Sequence, residues 1–208
     1  MAMASLVPIV RNAGDGDRQS FAGGGLHLWK LLAEETDGAF FLLEDTMVKD
    51  KTTPLHLHPE AHELTYVIDG EIEVQTDGQR ARVRSGGVSF VPKGVAHAFI
   101  VVSAEARLIA LQTPGAVGQA FYRGASEPAM DEDADTLDLA RLQASAAANP
   151  RGITILGPSP FSPVPARGAP PRSSSARVLG MGEREGDHLR ELGTDGRRER
   201  IAAPLPRL

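Results

Sequence analysis

Cysteine is absent from this chain of 208 residues, and aromatic residues make up only 5% of it. Without cysteine there is no disulfide framework and no thiolate metal site, so any metal must be bound by nitrogen and oxygen atoms. The longest apolar runs, near 39–43 and 99–102, are far too short to span a bilayer. The first ten residues lack a basic segment followed by a long apolar stretch, so we expect no secretory signal.

Charge is also modest, with a formal net value of −5. A nucleic-acid surface normally shows a basic stripe, which this balance does not favour. The arginines of the C-terminal part are interleaved with acidic residues, so a solvated segment is the better interpretation there. We therefore expect a cytoplasmic protein with no nucleic-acid partner and no membrane partner.

Turn signals divide the middle of the chain into short apolar segments. Asp69-Gly70 and Asp77-Gly78, flanked by alternating residues, predict β-hairpins. The predicted strands are 26–32, 40–47, 64–68, 72–75, 81–84, 88–91, 98–102, 107–112 and 119–122. With no helical pattern between them, this spacing favours an antiparallel sandwich or barrel.

The chain divides into a lead-in at 1–20, a barrel at 21–125, a helical extension at 126–157 and a tail at 158–208. In the extension, the Leu- and Ala-rich segment 136–148 follows acidic residues and precedes Asn149-Pro150, which predicts one helix. The apolar stretch 153–156 is expected to dock on the barrel. The tail is rich in proline and serine and has no aromatic residue after Phe161, so we expect it to be disordered.

The histidines carry the strongest chemical signal. His56 and His58 are two positions apart, so on a strand both project to the same face. Two neighbouring imidazoles are costly inside a core, because each needs a hydrogen-bond partner and both would repel if protonated. A divalent metal removes this cost by coordinating both as neutral ligands. Glu63 adds a hard oxygen ligand, whereas strand alternation turns its neighbour His62 to the opposite face.

The order and spacing of these residues resemble the two motifs of the cupin superfamily. The first motif reads Gly, five residues, His-x-His, three or four residues, Glu, six residues, Gly. This chain has Asp50 in place of the leading Gly, then His56-Leu57-His58, Glu63 and Gly70 at that spacing. The second motif reads Gly, five residues, Pro-x-Gly, two residues, His, three residues, Asn. Here it is Gly86, Pro92-Lys93-Gly94 and His97, with Val101 in place of the Asn.

The resemblance implies an all-β fold, a single cupin β-barrel of the jelly-roll type with two antiparallel sheets, to which the helix and the tail are appended. It also implies that His56, His58, Glu63 and His97 bind one divalent transition metal per chain, which is Fe, Mn, Ni, Cu or Zn. A pocket for a small-molecule substrate would lie above the metal. Cupins of this kind also lead us to expect a homodimer formed through exposed strands.

Within the superfamily, the chain looks most like small bacterial cupins of the quercetin dioxygenase-like group. The similar segments are Pro54-x-His56-x-His58-Pro59, 66–70, 90–94 and 152–158. This resemblance implies a dioxygenase acting on a small enol- or flavonol-like substrate, with Glu63 as metal ligand and catalytic base. Two alternatives stay open: a non-oxidative isomerase, cyclase or decarboxylase that uses the metal as a Lewis acid, and a non-catalytic small-molecule-binding cupin.

Several other side chains receive expectations from their place in the predicted strands. His27 alternates with two leucines and is expected to point outward. Trp29 is expected either in the core or in the wall of a ligand site. The remaining expectations are barrel core for Phe90, Phe99 and Phe121, and polar contacts in the pocket for Thr65 and Gln112.

Overall fold

The computed structural model describes residues 6–129 and 139–162. Within these residues the strands form one sheet of seven and one sheet of five, each antiparallel. The larger sheet contains, in spatial order, β11 (Ser126–Pro128), β1 (Asp17–Phe21), β2 (Leu26–Leu31), β3 (Phe41–Val48), β10 (Glu105–Thr113), β5 (His62–Asp69) and β8 (Val88–Val91). The smaller sheet contains β12 (Thr154–Gly157), β4 (Leu55–Leu57), β9 (His97–Val101), β6 (Glu71–Thr76) and β7 (Gln79–Arg84). The predicted jelly-roll architecture of two antiparallel sheets is confirmed.

The core between the two sheets follows from alternation along their strands. In β3, for example, every second residue from Phe41 to Met47 is buried. One apolar cluster joins both sheets and consists of Met47, Val67, Ile72, Val74, Val101, Ala106 and Leu108. Full burial of one such large side chain contributes about 1.5–3 kcal/mol. Two further apolar clusters lie around Phe21 and Trp29.

The hairpin predicted at Asp69-Gly70 is wrong, because β5 and β6 on its two sides lie in different sheets. The hairpin predicted at Asp77-Gly78 is confirmed, and its backbone explains the residue choice. Both residues have positive φ, 48° for Asp77 and 75° for Gly78. They connect β6 to β7, with Thr76 paired to Gln79. A two-residue turn with both φ values positive matches the right-handed twist of the flanking strands, and Asp-Gly tolerates it best.

The predicted strand at 119–122 is wrong, because this segment belongs to the helix α1 (Gly115–Gly124). Its buried residues are Gly115, Gly118 and Phe121, which have helical spacing. A side chain at Gly115 would lie 2.3 Å from the carbonyl carbon of Phe40, so the helix packs directly on the backbone before β3. A short apolar run does not distinguish helix from strand by periodicity, so this packing decided its structure.

The helical extension agrees with the prediction where it is described. Helix α2 spans Leu139–Ala148, so the described residues contain two α-helices, one more than predicted, and a 3-10 helix at Ala33–Thr36. Strand β12 docks on β4, as expected for 153–156. None of the described helices is long and apolar enough to cross a membrane.

The larger sheet reaches beyond the predicted barrel bounds of 21–125 at both ends. β1 begins at Asp17 and pairs with β11, which ends at Pro128. Of the predicted tail at 158–208, only the first five residues, up to Ser162, are described, and there the Arg80 guanidinium lies 4.5 Å from the centre of the Phe161 ring. The rest of the tail that was expected to be disordered lies outside the described part of the chain.

The structure places the aromatic residues of the predicted strands in different environments. Trp29 is core, with 1% exposure and a hydrogen bond of 3.0 Å from its indole nitrogen to Gln19 Oε1. Phe90, expected in the core, is instead 57% exposed. It lies on β8, the edge strand of the larger sheet, on the face opposite the buried Val91. Phe121 is buried and Phe99 packs against the core cluster, as expected.

Candidate metal centre

Strands of both sheets bring together the four predicted ligands. Glu63 lies on β5 of the larger sheet, and His56 on β4 is directly paired with His97 on β9 of the smaller one. His58 follows the end of β4, and its carbonyl accepts a 2.8 Å hydrogen bond from the amide of Gly94. One nitrogen or oxygen atom from each of the four side chains lies within 4.8 Å of the others, and all four side chains are buried.

All three imidazoles are oriented by hydrogen bonds to backbone carbonyls. The Nδ1 atoms of His56, His58 and His97 lie 2.8, 2.7 and 3.0 Å from the carbonyl oxygens of Pro54, Gly152 and Val95. A carbonyl accepts only, so each Nδ1 carries the hydrogen and each Nε2 keeps its lone pair. This is the tautomer that a metal-binding histidine needs, with the second nitrogen held by an outer partner.

One of the atoms that face the centre lacks a hydrogen-bond partner, which a bound cation would replace. His97 Nε2 is buried and has no hydrogen-bond partner in the described part of the chain. It lies 3.5 Å from Glu63 Oε1, and His58 Nε2 lies 2.9 Å from Glu63 Oε2. Three imidazole nitrogens and a carboxylate form a donor set suited to a divalent transition metal, so the residues present fit such an ion.

The electrostatics keep Glu63 ionised. Burial raises the pKa of this carboxyl, but the neighbouring imidazoles of His58 and His97 outweigh burial and hold the pKa well below its usual range. Burial lowers the pKa of His97, but the neighbouring Glu63 carboxylate outweighs burial and raises it. His56 has a pKa lowered to about 3, first by burial and then by the other two imidazoles. A carboxylate and a neutral imidazole are the forms that bind metal.

Two side chains that hold Glu63 in place come from β10 and α1. Gln112 is paired with Glu63 across the sheet and donates a 2.9 Å hydrogen bond to its Oε2. The Tyr122 hydroxyl donates to the same oxygen at 3.2 Å. Burial, followed by the charges of Glu63 and Asp45, raises the pKa of Tyr122 well above its usual value, so it stays a donor.

The structure thus places one expected polar contact, Gln112, beside the predicted ligands and adds one that was missed, Tyr122. Tyr122 lay in the segment mistaken for a strand. A side chain at Gly118 would lie 2.0 Å from Gln112 Oε1, so only glycine allows α1 to approach this closely. His62 lies outside the centre as expected: its Nδ1 accepts a hydrogen bond from the Lys93 amide, and its ring stacks on Phe90.

Comparison with known proteins agrees with this geometry. The family model described as the cupin domain matches residues 43–112, which include all four candidate ligands. The chain therefore contains a cupin domain over these residues.

This cupin is similar to the quercetin 2,3-dioxygenase of Bacillus subtilis (strain 168), with 28% identity over 122 residues. The match covers 59% of this chain and 36% of the relative, so the chain spans about a third of that protein's length. Among solved structures, a predicted oxalate decarboxylase from Thermotoga maritima aligns with a TM-score of 0.46 and 19% identity, over 51% of this cupin and 98% of that chain. An RmlC-like cupin from Shewanella frigidimarina aligns with a TM-score of 0.45 and 19% identity, over 52% and 93% of the two chains.

A cavity lies beside the metal centre. Its volume is about 60 Å³, which is below the usual range of small-molecule sites. His56, Glu63 and Thr65 line it on the side of the centre. Its apolar and aromatic walls include Phe21, Met47, Phe99, Leu108, Phe121, Tyr122, Leu142 and Ile153.

The same cavity has a second polar group in its wall, formed by His27, Asp45 and Lys51. The prediction that His27 points outward is wrong, since only 3% of it is exposed and its Nε2 lies 3.3 Å from Asp45 Oδ1. His27, Leu28 and Trp29 are all buried, so β2 is covered on both faces and alternation could not show which face carries the cavity. The sequence contains an overlooked indication for Asp45, which is a charged residue among the alternating, otherwise apolar buried positions of β3.

Asp45 is expected to make the metal-free protein less stable as pH rises. Burial, helped by the charge of Glu63, raises the pKa of Asp45 from 3.8 to about 8. Between these values the folded state holds a proton that the unfolded state has released, so this contribution to stability is complete below pH 3.8 and is lost as pH rises through 8. Asp45→Asn removes the titration. Its free energy of unfolding should rise relative to the wild type by about 2–4 kcal/mol between pH 5 and pH 8.

Urea unfolding of chelated protein at both pH values measures this difference. Asp69→Asn, at an exposed aspartate at the end of β5, is the matched control and should run parallel to the wild type. A constant difference between Asp45→Asn and the wild type across this pH range would contradict the assignment.

Proposed function

We propose that this cupin is a metal-dependent dioxygenase that acts on a small enol- or flavonol-like substrate. His56, His58, Glu63 and His97 would hold one divalent transition metal. The observation that carries the proposal is the convergence of their metal-binding atoms within 4.8 Å, at the wall of a largely apolar cavity. The similarity to a quercetin 2,3-dioxygenase supports the choice of reaction.

The chemistry divides between the metal and the protein. When bound, the ion supplies a Lewis acid that polarises a substrate oxygen and a centre at which oxygen chemistry becomes possible. Glu63 is held as a carboxylate facing the cavity, so it can accept the proton of a substrate enol hydroxyl. Gln112 and Tyr122 hold Glu63 Oε2 through their hydrogen bonds and so keep the carboxylate directed at the centre.

The cavity walls would exclude water from this proton transfer. Phe21 and Phe121 form an edge-to-face pair with ring centres 6.3 Å apart, and the Phe121 and Tyr122 rings meet at 5.1 Å. An aromatic lining favours a flat, largely apolar substrate over a sugar or a phosphate ester, because it offers stacking area and few polar contacts.

Oxygen uptake tests the proposal directly. The chain, stripped of metal and reloaded separately with Fe, Mn, Ni, Cu or Zn, is mixed with a flavonol such as quercetin or a β-dicarbonyl such as acetylacetone. We expect oxygen consumption that depends on the metal, with both atoms of labelled dioxygen recovered in the products.

If no loaded form consumes oxygen with either substrate class, the dioxygenase proposal fails. Product formation that continues under nitrogen would instead indicate a non-oxidative isomerase, cyclase or decarboxylase. Metal binding without any turnover would indicate a binding cupin. The homodimer and the cytoplasmic location stay predictions.

A further inference from the structure

The polar group formed by His27, Asp45 and Lys51 has no place in the chemistry described so far, although it lines the same cavity as Glu63. Its residues come from β2, β3 and the turn after β3. His27 and Asp45 are paired across the sheet, and 3% and 5% of their surfaces are exposed. Burying three ionisable side chains together is costly unless they pair with one another or with a ligand.

Their pairing with the protein is incomplete. Asp45 Oδ1 and His27 Nδ1 are buried and have no hydrogen-bond partner in the described part of the chain. Lys51 Nζ donates a 3.1 Å hydrogen bond to the carbonyl of Ala22 and lies 5.5 Å from the centre of the Phe21 ring. An ammonium has three N–H donors, and the described residues give this one only that hydrogen bond.

The charge of the group favours an anion. Burial raises the pKa of Asp45 to about 8, so near neutral pH it is mostly a carboxylic acid that can donate a hydrogen bond. Burial also lowers the pKa of Lys51 to about 8, but this still leaves it mostly cationic at pH 7. His27 is neutral, because burial lowers its pKa to about 3. The group therefore offers two donors and one positive charge.

The aromatic side chains next to this polar group indicate the chemistry of the rest of the ligand. The Phe21 ring stacks on the His27 ring with centres 4.3 Å apart and an interplanar angle of 23°. Tyr122 lies 5.9 Å from both rings and also donates to Glu63 Oε2, so it connects the second polar group to the metal centre. A ligand that reached from one to the other would lie along aromatic faces.

We propose that Lys51, Asp45 and His27 form a second polar subsite, which binds the anionic oxygen group of a largely apolar, aromatic substrate whose reacting end reaches Glu63. Lys51 and Asp45 donate to that oxygen group, and His27 lies beside Asp45, with its Nε2 3.3 Å from Asp45 Oδ1. The subsite rests on the proposed function only for the identity of the reacting end. The preference for an anion follows from the subsite's own residues.

A matched pair of probes tests this preference. Benzoate and benzamide have nearly the same shape and differ in charge, and their dissociation constants for the full metal-loaded chain can be measured by ligand-observed NMR at pH 7. We expect benzoate to bind at least about 10-fold more tightly than benzamide, and we expect Lys51→Met to reduce this ratio to below about 3. Lys51→Gln also removes the charge but keeps a hydrogen-bond donor for the Ala22 carbonyl. It therefore tests the same preference if Lys51→Met does not fold.

Lys49→Met is the control, because Lys49 is exposed and only two residues away, and it should keep the wild-type ratio. A ratio that stays unchanged in both Lys51 variants would mean that the metal or another group selects the anion, and it would overturn the subsite. A wild-type protein that binds benzoate and benzamide equally tightly would overturn the subsite too. Metal content and oxygen uptake are measured on the same samples: a charge preference that depends on Lys51 in a protein that consumes no oxygen would retain the subsite and reject the dioxygenase.

Discussion

The double substitution His56→Ala and His58→Ala is expected to lower bound metal from one ion per chain to less than about 0.1. It removes two of the four side chains that converge at the centre, and both lie on the same short stretch of the smaller sheet. Glu63 and His97 would remain, but two ligands from two different sheets do not hold a divalent ion against dialysis. Elemental analysis of dialysed protein measures the change, and circular dichroism confirms that the fold is retained.

His62→Ala is the matched control for this experiment. His62 lies one residue before Glu63, but its ring faces away from the centre and stacks on Phe90. This variant should keep full metal content and lose only the hydrogen bond from the Lys93 amide. Thermal unfolding adds a second measurement, since added metal should raise the melting temperature of the wild type and of His62→Ala but not that of the double variant. Stoichiometric metal in the double variant would reject the centre.

Glu63→Gln is expected to lower turnover per bound metal by about 100-fold or more, because the substitution removes the proposed proton acceptor. The amide also meets the wrong partners, since Gln112 and Tyr122 both donate to Glu63 Oε2 and a second donor there would oppose them. Metal affinity should fall too, by roughly 10- to 100-fold, as the charge and one ligand oxygen are lost. Turnover is therefore measured at saturating metal and divided by the metal found in the protein.

Glu60→Gln provides the comparison for Glu63→Gln. Glu60 lies in the turn between His58 and Glu63 and forms an ion pair with Arg151 at 2.5 Å on the surface. Its replacement should leave turnover per metal within about two-fold of the wild type, as is usual for a surface pair. If Glu63→Gln retained full turnover per bound metal, Glu63 would be a ligand alone and the proton would have to leave by another route.

His56, His58 and Glu63 were predictable from local backbone geometry, whereas His97 was predicted from its place in the second cupin motif. Two histidines two residues apart on a strand share a face, and a residue next to Glu63 cannot share its face. The hairpin at Asp77-Gly78 was predictable for the same reason, since positive φ values at both positions select those residues. In each case the evidence lies within a few residues along the chain.

The support around Glu63 was not predictable in this way. Tyr122 reaches Glu63 because α1 packs on β3 and β10 through Gly115 and Gly118, and the short apolar segment around it is compatible with a strand as well as a helix. The carbonyls that orient His56, His58 and His97 belong to the backbone, and that of Gly152 is 94 residues from its histidine. Backbone carbonyls leave no mark in the sequence.

By itself, the sequence predicted the fold class, the Asp77-Gly78 hairpin and the residues of the candidate metal centre, because strand alternation, turn chemistry and the two cupin motifs each occupy short segments of the chain. Only the tertiary structure decided what surrounds them. It buried His27 beside Asp45 and Lys51, placed Phe90 on an edge strand and set Tyr122 against Glu63. The reason is physical. Which side chains are buried on a strand covered on both faces, and which contacts form between sheet and helix, depend on the segments that meet in space. Local periodicity does not indicate which segments those are.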